Sequence, residues 1–530
     1  MQKLVRTPRI VFMFIVMAVL LAIYISVLYE LQTHGVAADS EMMNATSYET
    51  TLSAARGDIL DRNGNVLVSS RPAYNVLLSR NELLDTGNRN YNSTVLELVY
   101  LAFENGETHN DTFPITAAPP FSYVTNITDT QKSRLADYFE YYDIDKDISA
   151  SDLFVWIKEH YGIDYTTNIA DARLIIGVRY ELECRAISNI PKYVFIEDVS
   201  TNFITLIKER DYPGVTVETV AAREYHTSYA AHLLGYIGLI LGETDMEKYS
   251  ALGYPMDALV GLAGVESAFE EYLHGVDGLQ KITKSASGAI MNVETIKEPV
   301  PGQNIILTLD IGLQAASENA LRDIIKSINL GRAGKSQELA EGGAAVVLNV
   351  KTGEILAAAS YPTYDISTFW ENYLTLEADA TSPLFNRVTF GEYNPGSTFK
   401  MVTSLAGLRA GEITHWSTIN TEGIYTKYEG FHPECWTYAL SGGNHGAINV
   451  VEALTVSCNY FFYHLGDHIG ADAIMNTARD FGLGQATGIE IPEEIGALAT
   501  EYKKNVLKEE WYAADTLMSA IGQSHNMFTP

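Results

Sequence analysis

The chain is short of cysteine and of positive charge. Three cysteines, Cys184, Cys435 and Cys458, occur in 530 residues. An odd number with no close pairing pattern speaks against a disulfide framework and leaves free, partly buried thiols as the reading. Lysine and arginine total 36 against 66 aspartates and glutamates, a formal charge of −30 at pH 7. That balance argues against nucleic acid or any other anionic polymer as a partner, although it does not forbid a local basic groove. Metal-ligand patterns are equally thin. His432 and Cys435 stand three apart, and His464 and His468 four apart. No glutamate lies between the two histidines in a zinc-protease pattern, and no fourth ligand follows at a fitting spacing, so neither a metal nor a cofactor is expected. His232 reads as a packed or capped histidine, and His445-Gly446 as part of a glycine-rich loop lining a cleft.

Length is what the chain has. At 530 residues it exceeds one ordinary core, and two or three domains are expected. Ile10 to Tyr29 is an apolar run of 20 residues with Lys3, Arg6 and Arg9 before it and Glu30 after it. Such a run spans a bilayer as a helix with its cationic side cytoplasmic. The expectation is a cytoplasmic tail over 1–9, a membrane helix over 10–29 and the rest of the chain outside, in the cell membrane as a single-pass protein. A cleaved signal peptide, with Val36-Ala37-Ala38 at the cut, is the alternative.

Past that run, Arg56 to Leu67 alternates polar and apolar residues about Asn63-Gly64, which predicts a tight hairpin. The Arg56-Gly-Asp58 tripeptide reads as structural. Residues 91–201, rich in Asn, Asp, Thr and Tyr, give mixed signals and no site. Tyr212 to Glu218 alternates like a strand, Tyr229 to Gly238 reads as a small-residue helix ended by glycine, and Gly261 to Leu273 as a turn leading into an amphipathic helix with solvent-facing or capping acids. A turn at Pro299-Val-Pro-Gly302 opens a further domain. There Asn304 to Asp310 reads as a strand, Gly312 to Ile328 as a helix, and Gly343 to Val350 with Glu354 to Ser360 as an antiparallel hairpin turning at Lys351-Thr352-Gly353.

The chemistry-bearing stretch is Asn394-Pro-Gly-Ser-Thr-Phe-Lys400, a turn opening into a helix. Ser397 falls in the first turn, and Lys400, three residues on, shares its face. A serine needs a base to become a nucleophile, and an amine serves only when burial or nearby cations lower its pKa. Ser-x-x-Lys alone recurs by chance in long chains. Here Ser457-Cys458-Asn459 follows it, just before the aromatic run Tyr460 to Tyr463, and the two motifs together mark families that acylate a serine.

With Arg56-Gly-Asp-Ile-Leu-Asp-Arg62, Gly261 to Gly278, Pro301 to Asp310, Leu384-Phe-Asn-Arg387, Tyr393 to Lys400, Ser457-Cys-Asn459 and Ala520-Ile-Gly-Gln523 in this order, the chain resembles a class B penicillin-binding protein. The resemblance implies a membrane-anchored α+β multidomain fold. A β-rich pedestal or dimerisation domain would occupy 30–298, and a transpeptidase domain, an antiparallel sheet flanked by helices as in serine β-lactamases, 299–530. It implies a peptidoglycan D,D-transpeptidase in which Ser397 attacks the bond between the last two D-alanines of a stem peptide and Lys400 takes its proton. Ser457 would relay the proton to the leaving amine, and Asn459 would hold the substrate amide. Implied partners are stem peptides, β-lactams, the membrane, a membrane glycosyltransferase and other cell-wall synthesis proteins. The family's third motif, Lys-Thr-Gly or Lys-Ser-Gly, does not follow Asn459, and Lys351-Thr-Gly353 precedes Ser397 and lies on a turn. The transpeptidase domain is therefore expected to be incomplete at the C-terminus and crippled as it stands. A β-lactam hydrolase or sensor on the same nucleophile, and an inactive cell-wall scaffold, stay open as alternatives.

Overall fold

A computed structural model describes residues 12, 14–27, 29, 46–84, 91–125, 127–188, 193–210, 212–240, 243–252, 254, 258–284, 290–334 and 338–530. The expected tail over 1–9 and the Val36-Ala37-Ala38 alternative lie outside them. The expected single-pass anchor is corrected here. Among the described residues no helix is long and apolar enough to cross a membrane.

The chain folds as two interleaved units, one of 1–57, 70–223 and 274–303, the other of 58–69, 224–273 and 304–530. In the first unit, Thr46–Leu52, Gly278–Lys284 and Ile290–Lys297 form a three-stranded antiparallel sheet in that order. The far end of the strand Val66–Leu78 pairs antiparallel with Tyr193–Ile196. The stretch that sequence patterns left unassigned is mostly helical: Tyr91–Glu104, Asp129–Tyr141, Ala150–His160 and Ile169–Ile187. Three of these helices begin at side-chain caps, Thr128 in a capping box with Gln131, Ser149 and Asn168, each satisfying amides that the first turn cannot pair itself. Tyr138, Leu153, Ile157, Ile176 and Tyr180 close one core between them.

The second unit starts with the expected hairpin. Ile59–Leu60 and the start of Val66–Leu78 pair antiparallel around Gly64. Asp61, fully covered, fastens the turn by accepting from the N–H groups of Asn63 (2.8 Å) and Asn65 (2.9 Å) and from Asn65 Nδ2 (2.9 Å). The two backbone N–H groups bond Oδ1, while Oδ2, which takes Asn65 Nδ2, also accepts from Ile311 N–H at 3.4 Å. Asp310 caps the helix Ile311–Arg332 through Leu313 N–H; of the strand expected over 304–310 only Ile305–Ile306 forms. Buried Gln314 on that helix grips the hairpin strand Ile355–Tyr361, accepting from Ala358 N–H at 2.7 Å and donating to Ala358 C=O at 3.0 Å. The partner strand is Gly343–Leu348, so the expected antiparallel hairpin is present with Lys351-Thr352-Gly353 on its exposed turn.

Two expectations change in detail. The helix read over 229–238 is only Ala231–Leu234. Gly235, at φ 73°, ends it, and Ile237–Leu239 pairs as a strand with Leu259–Gly261. Glu266 and Glu270 are buried rather than solvent-facing, and Glu270 Oε2 accepts from Gly261 N–H at 2.8 Å, fastening the end of the strand Leu259–Gly261 from inside the core.

Candidate active site

Three helices build the site. Lys400–Ala410 packs on Asn459–Asp480, which packs on Ala513–Ala520. Close approach depends on small residues: a Cβ on Gly407 would come 2.8 Å from the Leu465 methyls, and one on Gly466 2.5 Å from Ala520 Cβ. The aromatic run after Asn459 is an anchor, with Phe461 and Phe462 fully buried.

The turn Gly396–Phe399 leads into the Lys400 helix and leaves Ser397 exposed, while Lys400 is 1% exposed. Ser457 stands between the short helix Val450–Thr455 and the Asn459 helix, in the left-handed region at φ 48°. That conformation turns its hydroxyl to the centre. Ser457 Oγ donates to Ser397 Oγ at 3.0 Å, and Lys400 Nζ donates to Ser457 Oγ and Ser457 C=O at 3.0 Å each and to Asn459 Oδ1 at 2.6 Å. The three donors of the ammonium thus have three acceptors. Sequence spacing put Lys400 within direct reach of Ser397; in the fold the amine reaches Ser397 through Ser457. Asn459 gives its carbonyl oxygen to Lys400, and its side chain is also bonded to Tyr463.

Burial pushes the Lys400 amine down from 10.5 to about 8, against a small opposing pull from Cys435 and Cys458. At pH 7 roughly one such amine in ten is then neutral, against roughly one in three thousand for an unperturbed lysine. The Phe462 ring, 5.6 Å from Nζ, forms part of the apolar wall. A buried amine, partly neutral and hydrogen-bonded through one hydroxyl to an exposed serine, is an arrangement able to deprotonate that serine.

One group escaped the sequence reading. Cys435, paired there with His432, meets His445 and Cys458 instead: Cys435 Sγ is 3.9 Å from Cys458 Sγ and 3.7 Å from His445 Nδ1. Ligand atoms of all three lie within 4.8 Å of one another. Bonds of about 2.3 Å from zinc to sulfur give a tetrahedral edge of about 3.8 Å, so these residues could hold a soft divalent ion. His445 Nε2 is oriented by Thr437 Oγ1 at 2.8 Å. The hydrogen bond with Cys458, and then the backbone amides of Tyr460, Thr437 and Asn459, hold the Cys435 thiol below the usual thiol range against the opposing push of burial. The His464 and His468 rings lie 4.1 Å apart, tilted by 34°, and among the described residues they join no such cluster. His232 is packed as expected, its Nε2 2.7 Å from Pro383 C=O and its pKa pushed down to about 4 by burial. Lys351-Thr352-Gly353 makes only local bonds, Thr352 Oγ1 donating to Glu354 at 2.9 Å.

Residues 51–307 match the penicillin-binding protein dimerisation domain and residues 343–530 the penicillin-binding protein transpeptidase domain. Peptidoglycan D,D-transpeptidase MrdA of Acinetobacter baumannii is 32% identical over 328 residues, 60% of this chain and 46% of the relative. The Escherichia coli K12 protein of the same name is 31% identical over 336 residues, 61% of this chain and 50% of the relative. The chain spans about half the length of the curated relatives it matches. A solved structure described as structural coordination of polymerization and crosslinking by a peptidoglycan synthase complex superposes with a TM-score of 0.59 at 26% identity, covering 100% of this chain and 76% of that one. Penicillin-binding protein PBP2 of Helicobacter pylori in complex with MreC shares the fold, with a TM-score of 0.60 at 21% identity over 91% of this chain and 75% of that one.

Proposed function

Because the chain belongs to the class B penicillin-binding proteins, we propose that it is a peptidoglycan D,D-transpeptidase working through a Ser397 acyl-enzyme. The observation that carries this reading is the position of Ser457 Oγ, 3.0 Å from both Ser397 Oγ and Lys400 Nζ. Ser397 Oγ attacks the carbonyl between the two terminal D-alanines of a stem peptide. As that bond forms, its proton passes to Ser457 and the Ser457 proton to neutral Lys400. Collapse of the tetrahedral adduct breaks the C–N bond, and the proton returns along the same path to the departing D-alanine amine. An amine of a second stem peptide then attacks the ester, completing the cross-link and freeing Ser397. Asn459 holds the Lys400 end of the relay and presents its carboxamide to the substrate. β-Lactams acylate Ser397 by the first half of this sequence. The relative described as part of a peptidoglycan synthase complex supports a glycan polymerase as partner.

Labelling with a fluorescent penicillin tests the assignment. Stable one-to-one labelling of the parent chain, slow where the missing Lys-Thr-Gly motif is felt, and none of Ser397→Ala is the expected result. Rapid release of label would point to a hydrolase, and an unlabelled parent to a scaffold.

A further inference from the structure

The turn carrying Ser397 is tied down from its N-terminal side by a second set of contacts. Gly396 N–H donates to Gly522 C=O at 2.8 Å. Asn394, two residues earlier, spends both hydrogens of Nδ2 on backbone carbonyls, Ser524 C=O at 2.9 Å and Asn526 C=O at 2.6 Å. Tyr393 and Phe528 exchange two backbone bonds at 2.8 and 3.0 Å. The receiving stretch is shaped for this: Gly522 and Ser524 both sit at positive φ, 74° and 69°. A Cβ on Gly522 would come 2.1 Å from Gly396 O, so only glycine admits the contact.

That stretch is held independently of Asn394. The Asn526 side chain is fully buried, donating to Ser519 C=O and accepting from Ala499 N–H, each at 3.2 Å. Thr403 Oγ1, on the Lys400 helix, donates to Ala520 C=O at 2.7 Å. Asn394 itself is exposed and covers no core.

We propose that Asn394 is a positioning residue, whose carboxamide clamps the Ser397 turn onto the Gly522 to Asn526 stretch and so sets the distance from Ser397 to Ser457. The inference rests on the transpeptidase reading of Ser397. Only a carboxamide N–H₂ of this length serves two carbonyls at once; a carboxylate would repel both. Asn394 touches neither Lys400 nor Ser457, so the clamp acts on where the nucleophile stands and leaves the base alone. Displacements of about 1 Å at a reacting atom cost up to about a hundredfold in rate.

The test is saturation kinetics of fluorescent-penicillin acylation on the full chain, its Asn394→Ala and Asn394→Asp variants, with amide exchange at Gly396 read in the same samples. Asn394→Ala is expected to lower the limiting acylation rate about tenfold and Asn394→Asp further. The half-saturating concentration and the pH midpoint of the rate should match the parent, and Gly396 exchange should rise about tenfold. Limiting rates within twofold of the parent overturn the inference, as does a loss that falls on half-saturation, which would make Asn394 a ligand contact. Gly396 exchange needs no activity and reads the clamp alone: unchanged exchange in Asn394→Ala overturns it, whereas a parent chain that takes no label overturns the transpeptidase reading beneath it.

Discussion

Lys400 Nζ and Asn459 Oδ1 lie 2.6 Å apart across 59 positions of sequence, so the cation of one motif is fastened by the last residue of the other. The Lys400 amine and the Ser-Cys-Asn triplet therefore form one hydrogen-bonded unit, and on the proposed mechanism the protonation of Lys400 governs the site.

Acylation should follow the neutral form of Lys400. Its midpoint is depressed to about 8, so the rate is expected to climb roughly tenfold per pH unit below that value and level off above it. An unperturbed lysine would put the climb near 10.5. The same depression favours the folded state as pH rises between about 8 and 10.5, where the unfolded chain still holds a proton that the folded chain has released. Labelling rates measured from pH 6 to 10 check this; a flat profile would remove Lys400 from the role of base.

Ser457 combines a hydroxyl bonded to both Ser397 and Lys400, the proposed relay, with a left-handed backbone, and two substitutions separate these. Ser457→Ala and Ser457→Gly both lose the hydroxyl and should acylate about a hundredfold more slowly. They should differ in stability, because a non-glycine residue at φ 48° stores on the order of 1 kcal/mol that glycine does not. Thermal unfolding of the pair reads the difference. Equal midpoints would mean that the turn is not strained.

What sequence patterns reached and missed divides by the range of the contacts. The Asn63-Gly64 hairpin and the hairpin around Lys351-Thr352-Gly353 were legible because turn residues and alternation act over a few positions. The Ser397 and Lys400 spacing was legible for the same reason. Whether Lys400 meets Ser397 directly or through Ser457 was not, since Ser457 arrives from 60 positions away. Cys435, His445 and Cys458 come from a loop, a strand edge and a helix cap, and no local spacing announces such a set. In the helical 91–201 stretch the Thr128 and Gln131 capping box was present in the sequence, but weak apolar periodicity in Asp129–Tyr141 obscured it. The apolar run from Ile10 suggested a membrane helix by length alone, whereas among the described residues no helix is long and apolar enough to cross a membrane.

Asp61 offers a test of the hairpin. Burial pushes its carboxyl up, yet hydrogen bonds from the Asn65 side chain and from the backbone of Asn65, Asn63 and Ile311 outweigh this and hold it below 3.8. Asp61→Ala leaves those donors unpaired and should cost about 1.5–3 kcal/mol. Because the folded carboxyl is the stronger acid, its contribution is present above pH 3.8 and fades as pH falls through the lowered value. The gap in unfolding midpoint between parent and variant should therefore narrow in acid. A gap that stays constant down to pH 2 would assign Asp61 a purely steric role.

The bond from Ile311 N–H to Asp61 joins residues 250 positions apart, and its consequence is one of timing. At synthesis rates of about 5–20 residues per second, the hairpin emerges on the order of 10–50 s before the helix that completes it. Through that interval the Asp61 carboxylate has only the two asparagines of its own turn. An isolated two-stranded hairpin is marginal in water, so the bonding of the Asp61 turn is completed only once Ile311 has been added.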